Sequence, residues 1–179
     1  SKDQIFNPAI ENDLCFHRDD SITISNSKSI TTNEEFKKAL AFSYAYKMTS
    51  FDSIDDFQPY TKLTRQQAAK IFSNFATNVL CRKPDTSLQP SYVDTYNAND
   101  TLKPYIIKAY QLWLMKWGTA NNFRPFDTIT KAEFNAVLIR MILNWFLSED
   151  SANRYDEYNK VSTELGIITQ WAWPRHLSR

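Results

Sequence analysis

A basic residue follows a Leu/Ile–Thr/Ser pair three times in this chain: Leu63-Thr64-Arg65, Ile129-Thr130-Lys131 and Leu177-Ser178-Arg179. A guanidinium offers paired N–H bonds to a carboxylate, whereas an ammonium offers a point charge. Two roles are open to such residues: capture of an anionic ligand, or an ion pair with a carboxylate elsewhere in the protein. Asp94, in Tyr92-Val93-Asp94, either touches the same ligand or caps the approach to a helix. Trp171 and Trp173 lie in a segment without helical period. Their faces suit stacking on a sugar or packing between elements.

Other chemistry finds less support. Asp52, Asp55 and Asp56 lack the alternation and the glycine of a calcium loop, so a solvated acidic loop is expected and no metal is assigned. His17 and His176 show no recognisable triad spacing. No carboxylate stands out in an apolar setting that would raise its pKa, so no catalytic residue is assigned. Only Gly118 and Gly166 are glycines. Glycine-rich phosphate loops are thereby excluded, and no cofactor is expected.

Composition sets the frame for these residues. The chain has 179 residues, 42% hydrophobic and 15% aromatic, enough for a packed core. Its 21 basic and 20 acidic residues nearly balance, and with no basic stripe nucleic acid is not an expected partner. The most apolar run, Ala136 to Leu147, is short and broken by Arg140 and Asn144, so no membrane span is expected. The start, SKDQIFNP, is not a signal peptide. Cys15 and Cys81 can pair in an oxidising compartment or stand as two thiols; spacing does not decide.

Periodicity then places the elements. Residues 1–30 carry no helical period and read as a wrapped arm, with Ser21 to Ile30 able to form a short strand. Helices are expected near 32–48, 64–80, 102–117, 131–147 and 152–165. Thr31-x-x-Glu34, Thr32-x-x-Glu35, Thr64-x-x-Gln67 and Thr130-x-x-Glu133 fit capping boxes. Pro104 suits a first turn, and Gly118 and Gly166 suit helix ends. Phe72, Phe75, Leu138, Met141 and Trp145 are expected to be buried where the second and fourth helices pack together.

Part of the chain repeats without a gap. Tyr44, Phe57, Pro59, Leu63 and Thr64 recur at one constant offset as Tyr110, Phe123, Pro125, Ile129 and Thr130. A fixed offset suggests one supersecondary unit used twice. Tyr110, Gly118, Ile129, Thr130 and Lys131 recur again at a second, shorter offset, as Tyr158, Gly166, Leu177, Ser178 and Arg179.

Over roughly residues 33–179 the chain resembles the S-layer homology domain. The family pattern runs from an aromatic-x-Asp through a helix and a small turn to Phe-x-Pro and an Ile/Leu-Thr-Arg-Ala-Glu/Gln helix start. The second unit follows it with Tyr92-Val93-Asp94, Trp117-Gly118, Phe123-Arg124-Pro125 and Ile129-Thr130-Lys131-Ala132-Glu133. The first supplies Phe57-Gln58-Pro59 and Leu63-Thr64-Arg65-Gln66-Gln67, and the third Leu165-Gly166-Ile167-Ile168. Lys131 stands where the family has Arg, Asn121 and Asn122 stand where it has glycines, and the first unit has no clear aromatic-x-Asp.

The resemblance implies an all-α fold of tandem helix-loop-helix repeats in a pseudo-threefold bundle, the third repeat incomplete. Residues 1–31 would be an arm, 32–81 the first repeat, 82–147 a linker and the second, and 148–179 a partial third. It implies a non-catalytic module that attaches a bacterial surface protein to the cell envelope. Arg65, Lys131, Arg179 and Asp94 would line grooves for an anionic wall glycopolymer, with Trp171 and Trp173 as added contacts. Localisation would be extracellular, at the cell surface, with the signal already removed. Other surface-layer subunits are possible partners under a second reading, a structural module for lattice assembly. A helical wall-degrading hydrolase is the third. Arg65 opens a helix beside an incoming loop, so it is expected to point away from its own core into a groove, where its removal would hardly change stability.

Overall fold

The computed structural model describes residues 15–28, 34–116, 121–143 and 156–166. Among these the chain is all-α, without a β-strand; isolated bridges join Ser25 to Ser53 and Thr64 to Thr128. The helices are α1 Glu34–Ala45, α2 Ile54–Phe57, α3 Arg65–Asn74, α4 Lys103–Gln111, α5 Lys131–Leu143 and α6 Asp156–Glu164. A π-turn over Phe75–Val79 continues α3, and a 3₁₀ turn spans Thr95–Asn97. The Thr31 and Thr32 caps lie outside the described residues.

One core gathers α3, α4 and the loops that flank them. Leu63, Phe72, Ile106, Leu112, Leu114, Phe123 and Ile129 are buried together. Periodicity places Leu114 and Trp117 on a helix reaching Gly118. Instead α4 stops at Gln111, and Trp113 takes the left-handed conformation at φ 60°. Leu114 N–H then donates back to Ala109 O at 2.9 Å, so Leu114 reaches the core from a turn. Trp117 and Gly118 are not among the described residues. Gly166 does adopt a left-handed φ of 71°, and α6 ends just before it.

The expected packing of the second helix on the fourth is only partly right. Phe72 of α3 and Phe134 of α5 bring their rings to 4.8 Å, but α3 lies mainly along α4, and α5 along α6. Phe72 and Met141 are buried, Phe75 and Leu138 only half-buried, and Trp145 is outside the described residues. The α5–α6 seam is polar as well as apolar. Arg140 Nε donates to Tyr158 Oη at 3.0 Å, and Ser162 bonds Asn135.

Local hydrogen bonds recur at the offset that the sequence repeats. Tyr46, Lys47, Met48 and Thr49 donate to Phe42, Tyr44, Ser43 and Ser43; Leu112, Trp113, Leu114 and Met115 donate to Lys108, Tyr110, Ala109 and Ala109. Left-handed residues fall at Lys47 and Gln58, then at Trp113 and Arg124. Asp19 accepts from the backbone and hydroxyl of Ser21, as Asp85 does from Ser87. Each non-glycine residue in that left-handed conformation costs about 1–2 kcal/mol, so the flanking contacts must outweigh it.

The segment 15–28 lies on the first half. Phe16 stacks on Tyr46 at 5.9 Å, and Ser25 N–H donates to Asp52 O at 3.1 Å. Asp55, read from sequence as part of an acidic loop, accepts from Ser27 and from Lys28 N–H. Cys15 and Cys81 form a disulfide that closes a long loop. Closing a loop of that length removes about 4 kcal/mol of unfolded-state entropy. Reduction, or Cys81→Ser, is therefore expected to lower unfolding free energy by about 2–5 kcal/mol in urea titrations. Alkylation of both thiols in the unreduced, denatured protein would show that the bridge is absent.

Candidate functional site

The start of α3 is strapped to the loop that precedes α5. Arg65 N–H donates to Asp127 O at 2.9 Å, Gln66 N–H to Pro125 O at 3.1 Å, and Ile129 N–H to Leu63 O at 2.9 Å. These bonds use orphan donors at the beginning of α3. They also aim the Arg65 side chain at the second half of the chain.

Arg65 is buried there, 5% exposed, rather than lining an open groove. Its Nε donates to Phe123 O at 2.7 Å, its Nη1 lies 3.0 Å from Glu133 Oε1, and the guanidinium sits 5.0 Å from the Phe123 ring centre. The expectation that it points away from its own core holds, but its target is the neighbouring half. The expectation that its loss would leave stability unchanged gives way, because a buried pair cannot lose one member cheaply.

Glu133 does two jobs. Its Oε2 accepts Thr130 N–H at 3.0 Å, closing the cap seen in the sequence, and Thr130 Oγ1 accepts Glu133 N–H at 3.1 Å. Its Oε1 faces Arg65 and also accepts from Arg124 Nη2 at 2.7 Å. Burial alone would raise the carboxyl pKa. Arg65 foremost, then the Thr130 N–H and Arg124, outweigh burial and hold it below the ordinary range.

Asp94 is a clamp. Its two oxygens accept Phe123 N–H at 2.8 Å and Arg124 N–H at 2.7 Å. That fixes the left-handed Arg124 and presents Phe123 O to Arg65. Tyr92 packs its ring 5.3 Å from Phe123, and burial pushes its phenol pKa up. Lys131 opens α5 half-buried. Trp171, Trp173 and Arg179 lie outside the described residues, so the structure does not bring them to this site.

The first half has the same frame without the same occupant. Phe57, Leu63 and Gln67 hold the positions that Phe123, Ile129 and Glu133 hold in the second half. They line an open cavity of about 530 Å³ together with Ser50, Lys70, Asn99 and Phe134. Gln67 caps its helix as Glu133 does, accepting Thr64 N–H at 3.0 Å. Lys70 does not stand out in the sequence; the available signal is one ammonium on the α3 face that holds Gln67.

Residues 97–134 match the S-layer homology domain. The matched segment runs from the end of the 3₁₀ turn through α4 and the Asp94-clamped loop to the first residues of α5. It therefore contains Phe123 and Glu133, the slot that receives Arg65. No curated protein matches the chain significantly.

The S-layer homology segment thus depends on an ion pair with the half before it. Glu133→Ala strands a buried guanidinium and is expected to cost about 3–5 kcal/mol in urea unfolding. Arg124→Ala removes a half-exposed partner and should cost less than about 1 kcal/mol. The reverse order would mean that Arg65 is not the principal partner. Because Glu133 is depressed, its contribution is fully present above its ordinary pKa of 4.5 and is lost as pH falls through the folded value. The stability gap between wild type and Glu133→Gln should therefore shrink as pH drops below that point. A gap that widens in acid would contradict the sign.

Proposed function

We propose that this chain is a non-catalytic attachment module that holds a bacterial surface protein to the cell envelope by binding an anionic wall glycopolymer. The match of residues 97–134 to the S-layer homology domain carries the reading, since such domains are cell-surface attachment modules that bind wall polymers. A disulfide suits a chain that works outside the cytoplasm. The cavity beside α3 adds hydroxyl, amide, ammonium and aromatic groups of the kind that hold a sugar.

In this reading the protein is built from copies of one unit, with starts at Cys15 and Cys81 and with residues 148–179 supplying a partial third in a pseudo-threefold bundle. The recurrence of Asp19–Ser21 as Asp85–Ser87 supports counting the arm with the first unit rather than apart from it. Arg65 then serves the junction between units, and Lys131, Arg179, Trp171 and Trp173 are the remaining candidates for polymer contacts. Catalysis is disfavoured by the state of Glu133. A glycan hydrolase needs one carboxylic acid kept protonated, whereas two guanidinium groups keep this one ionised.

One observation favours a second reading, a structural module for surface-layer assembly. The motif arginine that would face the polymer is committed to an internal pair. Sedimentation with isolated cell-wall fractions separates the two. Attachment predicts that the chain co-sediments at low salt, is released as salt rises, and liberates no reducing sugar. Failure to co-sediment at any salt would favour assembly, and sugar release would identify an enzyme.

A further inference from the structure

The two halves carry one slot each, and the two differ in charge. In the second half, Phe123 forms the floor and Glu133 the anion, and the guanidinium of Arg65 fills the space between them. In the first half, Phe57 and Gln67 occupy the matching positions, and the space is an open cavity. Two changes separate them. The carboxylate of Glu133 becomes the neutral amide of Gln67, and Ala136, fully buried, becomes Lys70.

Both changes move the first slot toward positive charge. Gln67 uses its Oε1 to accept Thr64 N–H, which leaves its amide N–H groups as donors to the cavity. Lys70 places its ammonium 2.5 Å from Ser50 Oγ and 5.8 Å from the Tyr105 ring centre. Among the described residues no carboxylate pairs with it. Its surroundings desolvate it, and the nearby Lys47 adds like charge; both disfavour the ammonium without an anion. A slot that receives a cation in one half is thus built to refuse a cation in the other.

We propose that the cavity at Phe57, Gln67 and Lys70 is a selective site for an acidic sugar residue, with Lys70 reading the acid group. The inference rests on the envelope-glycan reading for the identity of the ligand, and on the charge inversion for its place. The ammonium and the Gln67 amide meet the carboxylate. Phe57 and Phe134 face the apolar side of the ring, and Asn99 and Ser50 lie within the same wall. The volume, about 530 Å³, falls within the range of small-ligand sites. This assigns the ligand contact to Lys70 of the first half rather than to the motif arginine.

The test is a titration of the full chain with glucuronate and with glucose, followed by NMR at the Lys70 side chain. Glucuronate should bind about ten- to a hundredfold more tightly than glucose, the range for one charge-assisted bond. Lys70→Gln should abolish the preference and Lys70→Arg should keep it. Gln67→Glu should weaken glucuronate while leaving the cap intact. Equal binding of the two sugars, or an unchanged preference in Lys70→Gln, overturns the inference. Binding of neither sugar overturns it too, and the wall-fraction experiment then reports separately whether attachment uses another face.

Discussion

A guanidinium taken out of water is destabilising by several kcal/mol unless a carboxylate and further acceptors surround it. Arg65 meets that condition only when the two halves of the chain are assembled. Its partner Glu133 and its acceptor Phe123 O both belong to the other half. The same approach places Leu63, Phe123 and Ile129 in one core and lets the α3 start donate to the 125–127 backbone. Asp94 supports it from behind by fixing Phe123 and Arg124. The interface is thus a chain of dependencies: Asp94 shapes the loop, the loop presents Phe123 and Glu133, and these receive Arg65.

The structure makes its tight turns with little glycine. Lys47, Gln58, Trp113 and Arg124 take left-handed backbone, where the side chain is unfavourable by about 1–2 kcal/mol each. What holds them is local: the bonds back to Ser43 and Ala109 at the helix ends, and the Asp94 clamp at Arg124. This is why a turn here cannot be located by glycine alone.

That constraint explains much of what the sequence does and does not disclose. The helix starts at Arg65 and Lys131 are legible, because threonine and a Gln or Glu three residues on leave a capping signature. The end of α4 is not, since its left-handed position falls on Trp113 and not on Gly118. The arm's kinship with residues 81–94 is present as Cys15, Asp19 and Ser21 against Cys81, Asp85 and Ser87. Irregular segments have no period, so only the offset carries that signal. Asp94 is rightly open to a structural role, whereas the burial of Arg65 depends on Glu133, a partner so distant along the chain that spacing cannot reveal it. The charge difference between the two slots needs the structure to align Gln67 with Glu133 inside a cavity.

The Arg65–Glu133 junction is tested most directly by a double-mutant cycle with Arg65→Met and Glu133→Leu, each step read by urea unfolding. Residues coupled across a buried pair show an interaction energy of about 0.5–3 kcal/mol, and removal of both should be far less damaging than the sum of the single losses. That result is predicted here, with coupling near the upper end. Single effects that add to within about 0.3–0.5 kcal/mol would mean that the two side chains do not hold the halves together.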